Sequence, residues 1–200
     1  MYVSWRPEMA IALTYSDNGV NWSDPIVVFR NDPTSEWEDN LNRSCTLYWN
    51  GQYHMWYASG ETFEPNVLCY AESIDGIHWE KSPLNPIYVH GEGWEQDRVG
   101  GCEVHKMDDG RYALFYIGYS DILTAHIGVA FSEDGITGWE RYEHNPIVVP
   151  EEGSWDAAAC YKPTVYRDVK NNMWHLWYNG RTGGDEYIGY VTHEGLDITK

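Results

Sequence analysis

Ser73-Ile74-Asp75-Gly76-Ile77-His78-Trp79 is one of four copies of a short motif, and its recurrence decides the architecture. The others read Ser16-Asp17-Asn18-Gly19-Val20-Asn21-Trp22, Ser132-Glu133-Asp134-Gly135-Ile136-Thr137-Gly138-Trp139 and the degenerate Thr192-His193-Glu194-Gly195. They recur every ~59 residues, a period that marks stacked supersecondary units. An alternating apolar strand precedes the later copies, at Val67 to Ala71, Ile127 to Phe131 and Ile188 to Val191. A Pro-Ile strand start follows the first three, at Pro25, Pro86 and Pro146, where proline suits an edge strand because it lacks the N–H a ladder needs.

Next comes a tryptophan (Trp37, Trp94, Trp155), and eight residues on Cys45, Cys102 or Pro163 opens a new strand. A polar turn leads to an aromatic strand, such as Tyr53-His54-Met55-Trp56-Tyr57 or Trp174-His175-Leu176-Trp177-Tyr178. Four short strands per period, separated by Gly, Asn, Asp and Pro turns and without sustained helical periodicity, make one propeller blade. The fold class expected is an all-β β-propeller of four-stranded blades, about three per chain, forming an incomplete ring unless oligomeric. A single domain over 1–200 divides into repeats at about 1–36 (partial), 37–93, 94–154 and 155–200 (partial). The Asp-Gly step is expected to form the turn, the serine to hydrogen-bond inside it, and the tryptophan to fill the space between blades.

Composition agrees. Eleven Trp and 16 Tyr against 4 Phe favour strands, and 13 basic against 31 acidic residues give a net charge of −18. That charge repels phosphate backbones and anionic lipid, so nucleic acid and membrane are not expected partners. No apolar run reaches membrane-span length and the N-terminal residues lack a signal-peptide pattern, so the chain reads as cytoplasmic. Cys45, Cys69, Cys102 and Cys160 form no CxxC pair and read as buried free thiols. The eight histidines show no ligand spacing and no phosphate-binding loop occurs, so neither metal nor cofactor is expected. Two glycosylation sequons, at Asn21 and Asn42, say little without a secretory signal. Gly183-Gly184-Asp185-Glu186-Tyr187 matches a cyclase signature but falls in an interstrand loop of an all-β chain, and reads as coincidence.

The run Ser-x-Asp-Gly-x-x-Trp, then Asn-Pro-Ile, then Met-Trp-Tyr resembles the five-bladed superfamily of arabinanases, β-xylosidases, invertases, levansucrases and mannoside phosphorylases. The sialidase Asp box is a poorer match, having one more residue between aspartate and glycine. The resemblance implies a sugar-processing propeller of about 300 residues, with carboxylates on inner strands in Asp-Pro or Glu-Gly-Pro steps. It also implies missing blades. The chain enters near the third strand of one blade and ends after the third strand of another, so two outcomes are expected: a fragment of a longer chain, or a homodimer in which the outer strand Pro25 to Phe29 completes the partner's last blade.

Comparing the repeats with one another locates candidate chemistry. The residue after each tryptophan is acidic (Glu38, Glu95, Asp156), and an acid repeated in every blade reads as structural. Aligned at eight residues from the tryptophan, the steps matching the superfamily's carboxylates are Ser44-Cys45, Gly101-Cys102 and Lys162-Pro163, none of which carries one. Asp97 and Glu103 are then the acids available for catalysis, Glu103 standing where the other repeats place Thr46 and Thr164. Six residues apart on one strand, they span roughly 20 Å if extended, too far for an acid–base pair. Glu103 also reads as one half of an ion pair lining the ring centre. Arg43, Arg98, His105, Tyr161 and Lys162 suit hydrogen bonding and stacking to an oligosaccharide, or serve to balance the acidic field. The function expected is an oligosaccharide-binding or oligosaccharide-hydrolysing propeller; the alternative is a sugar-binding or assembly module without catalytic acids.

Overall fold

The computed structural model describes residues 1–60 and 65–198; Glu61 to Glu64, inside the repeat 37–93, and Thr199 to Lys200, at the end of the repeat 155–200, lie outside the described residues. The described residues form fifteen strands and two three-residue 3-10 turns, Arg6–Glu8 and Gly93–Glu95. None of their helices is long and apolar enough to cross a membrane. By its contacts the chain separates into two compact units, Met1–Val89 with Gly100–Cys102, and His90–Val99 with Glu103–Lys200.

The first unit opens with an antiparallel sheet of β1 (Tyr2–Trp5), β2 (Ala10–Leu13) and β3 (Ile26–Phe29), in that order. Its second sheet runs β4 (Asn40–Trp49), β5 (Gln52–Gly60), β6 (Pro65–Ser73) and β7 (Glu80–Lys81), with β8 (Tyr88–Val89) also paired to β6. Ile11 and Phe29 from the first sheet pack with Leu41, Met55 and Tyr57 from the second. The second unit holds a complete blade, β9 (Arg98–Lys106), β10 (Tyr112–Asp121), β11 (Thr124–Ser132) and β12 (Glu140–Arg141). It also holds a three-stranded sheet, β13 (Ala159–Asp168), β14 (Met173–Thr182) and β15 (Asp185–Glu194). Phe115, Ile127 and Val129 share one buried cluster with Val165, Trp174 and Leu176. The fold is an all-β propeller of four-stranded antiparallel blades.

The repeated motif builds the same turn in three copies. Gly76 N–H and Gly135 N–H donate to the hydroxyls of Ser73 and Ser132 at 2.9 and 3.0 Å. Asp75 Oδ1 accepts the amides of Ile77 and His78, both at 2.8 Å, and Asp134 Oδ1 those of Ile136 and Thr137, both at 2.7 Å. In the first copy Asn18 Oδ1 takes the aspartate's place at 2.9 Å to Val20 and Asn21. Such side-chain acceptors satisfy amides that a tight turn leaves without ladder partners. Trp79 then donates to Gly76 O at 3.2 Å and lies edge-on to Tyr2 and Phe29 of the first sheet and Tyr53 of its own. It therefore fills the space between two blades, as expected.

The second tryptophan series lies against bare backbone. A Cβ on Gly118 would fall 2.2 Å from the Trp94 ring, one on Gly128 2.5 Å from it, and one on Gly180 2.2 Å from Trp155. The acid after each tryptophan is buried: Glu38, Glu95 and Asp156 are 2, 1 and 6% exposed. Tyr57 donates to Glu38 at 2.7 Å, and Lys81 pairs with the same carboxylate. Arg141 pairs with Glu95, and Tyr178 donates to Asp156 at 2.9 Å. Burial, then the neighbouring Cys69 and Glu38, holds the Tyr57 hydroxyl far above the usual phenol range. The structural reading of these acids agrees with what their partners do.

One expectation about the chain's edges changes. The chain enters with a second strand, since β1 pairs β2 from Tyr2–Leu13 to Trp5–Ala10. The segment Pro25 to Phe29 contains β3, which is hydrogen-bonded to β2 of its own sheet through Ile26–Leu13 and Val27–Ala12. The four cysteines are free and buried, as expected, and burial pushes the Cys69 and Cys160 thiols up to about 12.

Substituting Gly118→Ala forces a methyl group into the Trp94 ring and should cost about 1–3 kcal/mol, read as a lowered urea midpoint with an unchanged slope. Burial alone would raise the Asp134 pKa, but hydrogen bonds from Thr137, Ile136 and Ser132 bring it down to about 2. Its contribution to stability is thus present above about pH 4 and is lost as pH falls toward 2. Asp134→Ala should cost about 1 kcal/mol at pH 7, by analogy with a helix cap, and that difference from wild type should shrink in denaturation curves taken at pH 3 and below.

Candidate functional site

Each inner strand carries a bulge, and the bulge is where the site residues must be read. Arg43, Gly101 and Lys162 adopt left-handed backbone with φ of 44, 48 and 57°. Strand register agrees: β4 skips between Asn42–Ala58 and Cys45–Trp56, and β13 between Tyr161–Asn179 and Thr164–Trp177. The bulge therefore lies six residues after Trp37 but seven after Trp94 and Trp155, so the eight-residue alignment is off by one in the first complete blade. Corrected, the columns are Arg43, Gly101, Lys162; then Ser44, Cys102, Pro163; then Cys45, Glu103, Thr164. The bulge steps are Arg43-Ser44, Gly101-Cys102 and Lys162-Pro163, again without a carboxylate. The equivalents of Glu103 are Cys45 and Thr164.

A bulge frees backbone groups from the ladder, and here neighbours take them up. In the first unit Arg43 N–H donates to Ser4 Oγ at 2.9 Å, Ser4 Oγ donates to Asn42 Oδ1 at 2.9 Å, and Cys102 Sγ donates to Arg43 O at 3.3 Å. Arg43 is half-buried at the inner end of its blade.

In the second unit the last sheet gathers a polar cluster around Glu186. Tyr161 donates to Glu186 Oε1 at 2.5 Å and Asn179 Nδ2 to Oε2 at 3.2 Å. Lys162 Nζ lies 5.0 Å and the Arg181 guanidinium 5.9 Å from the Tyr161 ring centre. The Tyr161 hydrogen bond, then Lys162, Asn179 and Arg181, holds the Glu186 carboxyl below its usual range against a small burial effect. Arg181 also donates to Leu123 O at 2.6 Å, tying this cluster to the β10–β11 turn. Sequence reading found Tyr161 and Lys162 but set Glu186 aside inside the Gly183–Tyr187 match. The signal that could have found Glu186 was its register: Arg181 pairs Glu186 across the hairpin and Ala159 across the inner strand, two positions before Tyr161.

Asp97 and Glu103 are not brought together. Asp97 sits just ahead of β9, its amide donating to Tyr119 O at 2.9 Å and its carboxylate accepting from Arg98 Nε at 2.6 Å. Glu103 lies beyond the bulge, its Oε1 3.8 Å from His105 Nε2. His105 is used in packing, edge-on to Phe115 and Trp174 at 6.1 and 5.4 Å. Burial, assisted by Arg167 and opposed by a bond to the Val165 backbone, brings its pKa down to about 4, so it is neutral at pH 7. Among the described residues no group of three or more His, Cys, Asp or Glu is placed to hold a metal ion.

No family model matches the chain. An uncharacterized protein of Mycobacterium tuberculosis is 30% identical over 196 residues, 90% of this chain and 60% of its own length. Acid beta-fructofuranosidase AIV-18 of Capsicum annuum is 23% identical, over 86% of this chain and 27% of its own. The chain thus spans less than two thirds of the curated relatives it matches. Among solved structures, a beta-1,2-mannobiose phosphorylase from Listeria innocua in complex with beta-1,2-mannobiose superposes with a TM-score of 0.70 at 14% identity, over 95% of this chain and 51% of that one. A thermostable family-43 glycoside hydrolase gives 0.69 at 16% identity, over 95% and 63%. The resemblance carried by the blade motifs therefore holds at the level of the fold: the chain folds as blades similar to those of propeller glycoside hydrolases and a mannoside phosphorylase, with plant fructofuranosidases as distant relatives.

Proposed function

We propose that this chain is part of a carbohydrate-active propeller that binds an oligosaccharide at the inner ends of its blades. The observation that carries this reading is the cluster of Tyr161, Lys162, Asn179, Arg181 and Glu186, which offers donors, an acceptor and an aromatic face in one place. Sugar hydroxyls need such mixed partners, and a half-exposed tyrosine gives a sugar ring an apolar surface to lie on. Arg98, on an inner strand of the same unit, carries the same polar chemistry. The sugar-processing relatives support a carbohydrate ligand.

Hydrolysis would fall to Asp97 and Glu103, with Glu103, the acid its repeats lack, as the better candidate. A specific observation favours the second reading, binding without turnover: the bulge positions hold Arg43, Gly101 and Lys162, none of them a carboxylate.

Calorimetric titration with fructo-, manno- and arabino-oligosaccharides should find a ligand, and Lys162→Ala or Arg181→Ala should each weaken it about tenfold, roughly the worth of one charge-assisted hydrogen bond. An affinity unchanged in both variants would sink the placement of the site. Aryl-glycoside assays separate the two readings: if the chain is an enzyme, Glu103→Gln should lower kcat/KM at least 100-fold without changing the urea midpoint. Saturable binding with no turnover in wild type would leave the binding module.

A further inference from the structure

Three steps in the chain join asparagine to glycine: Asn18-Gly19, Asn50-Gly51 and Asn179-Gly180. Glycine leaves the main-chain nitrogen after the asparagine unshielded by a side chain, so that nitrogen can attack the side-chain amide carbon once the backbone turns to bring them together. The three steps share this chemistry, and the fold gives each a different freedom to react.

Two of them are held. Asn18 Oδ1 accepts the amides of Val20 and Asn21, both at 2.9 Å, and Gly19 N–H donates to Ser16 Oγ at 2.8 Å. Reaction at Asn18 has to break these bonds first. Asn179 lies inside β14, paired with Tyr161 on one side and Ile188 on the other, and its Nδ2 donates to Glu186 Oε2 at 3.2 Å. Gly180 is paired with Cys160 and Tyr187 and lies against Trp155, so its backbone has no room to turn.

Asn50 and Gly51 stand apart. They are the two-residue loop between β4 and β5, closed by the pair Trp49–Gln52. Both have positive φ, 52 and 81°, as the favoured tight hairpin turn requires. Both are exposed, and a Cβ on Gly51 would meet nothing within 4 Å. Among the described residues no hydrogen bond engages the Asn50 side chain or the Gly51 N–H. The loop joins neighbouring strands of one sheet.

We propose that Asn50-Gly51 is a self-modification site, where the folded chain deamidates ahead of its two other asparagine-glycine steps. The Gly51 nitrogen gives up its proton and bonds to Asn50 Cγ; the Cγ–Nδ2 bond breaks and ammonia leaves, closing a succinimide ring. Water, the one co-reactant, then opens the ring at either carbonyl and gives aspartate or isoaspartate. No oxidant or reductant takes part. Aspartate keeps the turn, because its short side chain tolerates left-handed backbone. Isoaspartate routes the main chain through the side-chain carboxyl and lengthens a loop that the Trp49–Gln52 closure holds to two residues. The displacement falls on Trp49, stacked on His54 at 3.5 Å, and on Gln52, which donates to Glu72 Oε2 at 2.7 Å.

The test incubates the intact chain at neutral pH and physiological temperature, following each asparagine by peptide mass spectrometry and isoaspartate by enzymatic methyl transfer. Deamidation at Asn50 should run at least tenfold faster than at Asn18 or Asn179, about the difference that one or two hydrogen bonds to be broken supply. In guanidinium-unfolded chain the three rates should converge. Asn50→Gln should remove the first acidic variant seen on isoelectric focusing, and the wild-type time course decides if that variant does not fold. The proposal is overturned if Asn18 or Asn179 reacts first in the folded chain, or if Asn50 stays intact there while it reacts in the unfolded one. It is also overturned if the unfolded chain keeps the same ranking, because neighbouring residues and not the fold then set the rates, or if the acidic variant persists in Asn50→Gln.

Discussion

A carboxylate removed from water must be hydrogen-bonded and paired, and this requirement ties the blade together. Glu38 sits next to Trp37 in sequence, accepts the Tyr57 hydroxyl from the middle strand and meets Lys81 from the outer strand. One buried charge thus links the connection that enters a blade, its centre and its rim, elements separated by up to 43 residues. Glu95 repeats the link to the rim through Arg141. The tryptophan beside each acid covers the backbone where glycine or a small residue stands, so an aromatic cap and a polar latch are set by adjacent positions. Burial strengthens the latch as it raises the cost of losing a partner, which is why so short a motif can position strands that hold few ladder hydrogen bonds of their own.

Most of this was legible from one sequence because the chain repeats itself. The Asp-Gly turn, the tryptophan series and the structural role of the acid after it followed from comparing copies, and the turn hydrogen bonds at Ser73, Asp75, Ser132 and Asp134 agree with that reading. The bulge was not legible. Its position depends on the backbone conformation of a single residue, and the stretch from Trp37 to Arg43 is one residue shorter than its counterparts, so counting from the tryptophan misaligned the first complete blade. The early strand Tyr2–Trp5 was missed for a different reason. Four residues running into Arg6-Pro7 show too little alternation to register as a strand, and only pairing with β2 reveals it.

The candidate site was half legible. Tyr161 and Lys162 stood out because their repeats differ in charge and size, but Glu186 lies on a hairpin where no copy-to-copy contrast was drawn, and its meaning comes from Tyr161 across the sheet. His105 shows the opposite failure. A histidine on an inner strand suggested ligand contact, whereas the aromatic rings of Phe115 and Trp174 use it as a wedge and keep it neutral. Column contrast finds positions released from the scaffold's demands; it does not tell whether a neighbouring blade has since claimed them.

The left-handed backbone at Arg43 and Lys162 bears on how such a scaffold changes its chemistry. Residues with long side chains pay about 1 kcal/mol or more for that conformation, while aspartate and asparagine enter it more readily. The fold is therefore more comfortable with a short acid at these two positions than with the cations now there. Exchanging either cation for aspartate would relieve that backbone cost and reverse the charge at the start of its inner strand.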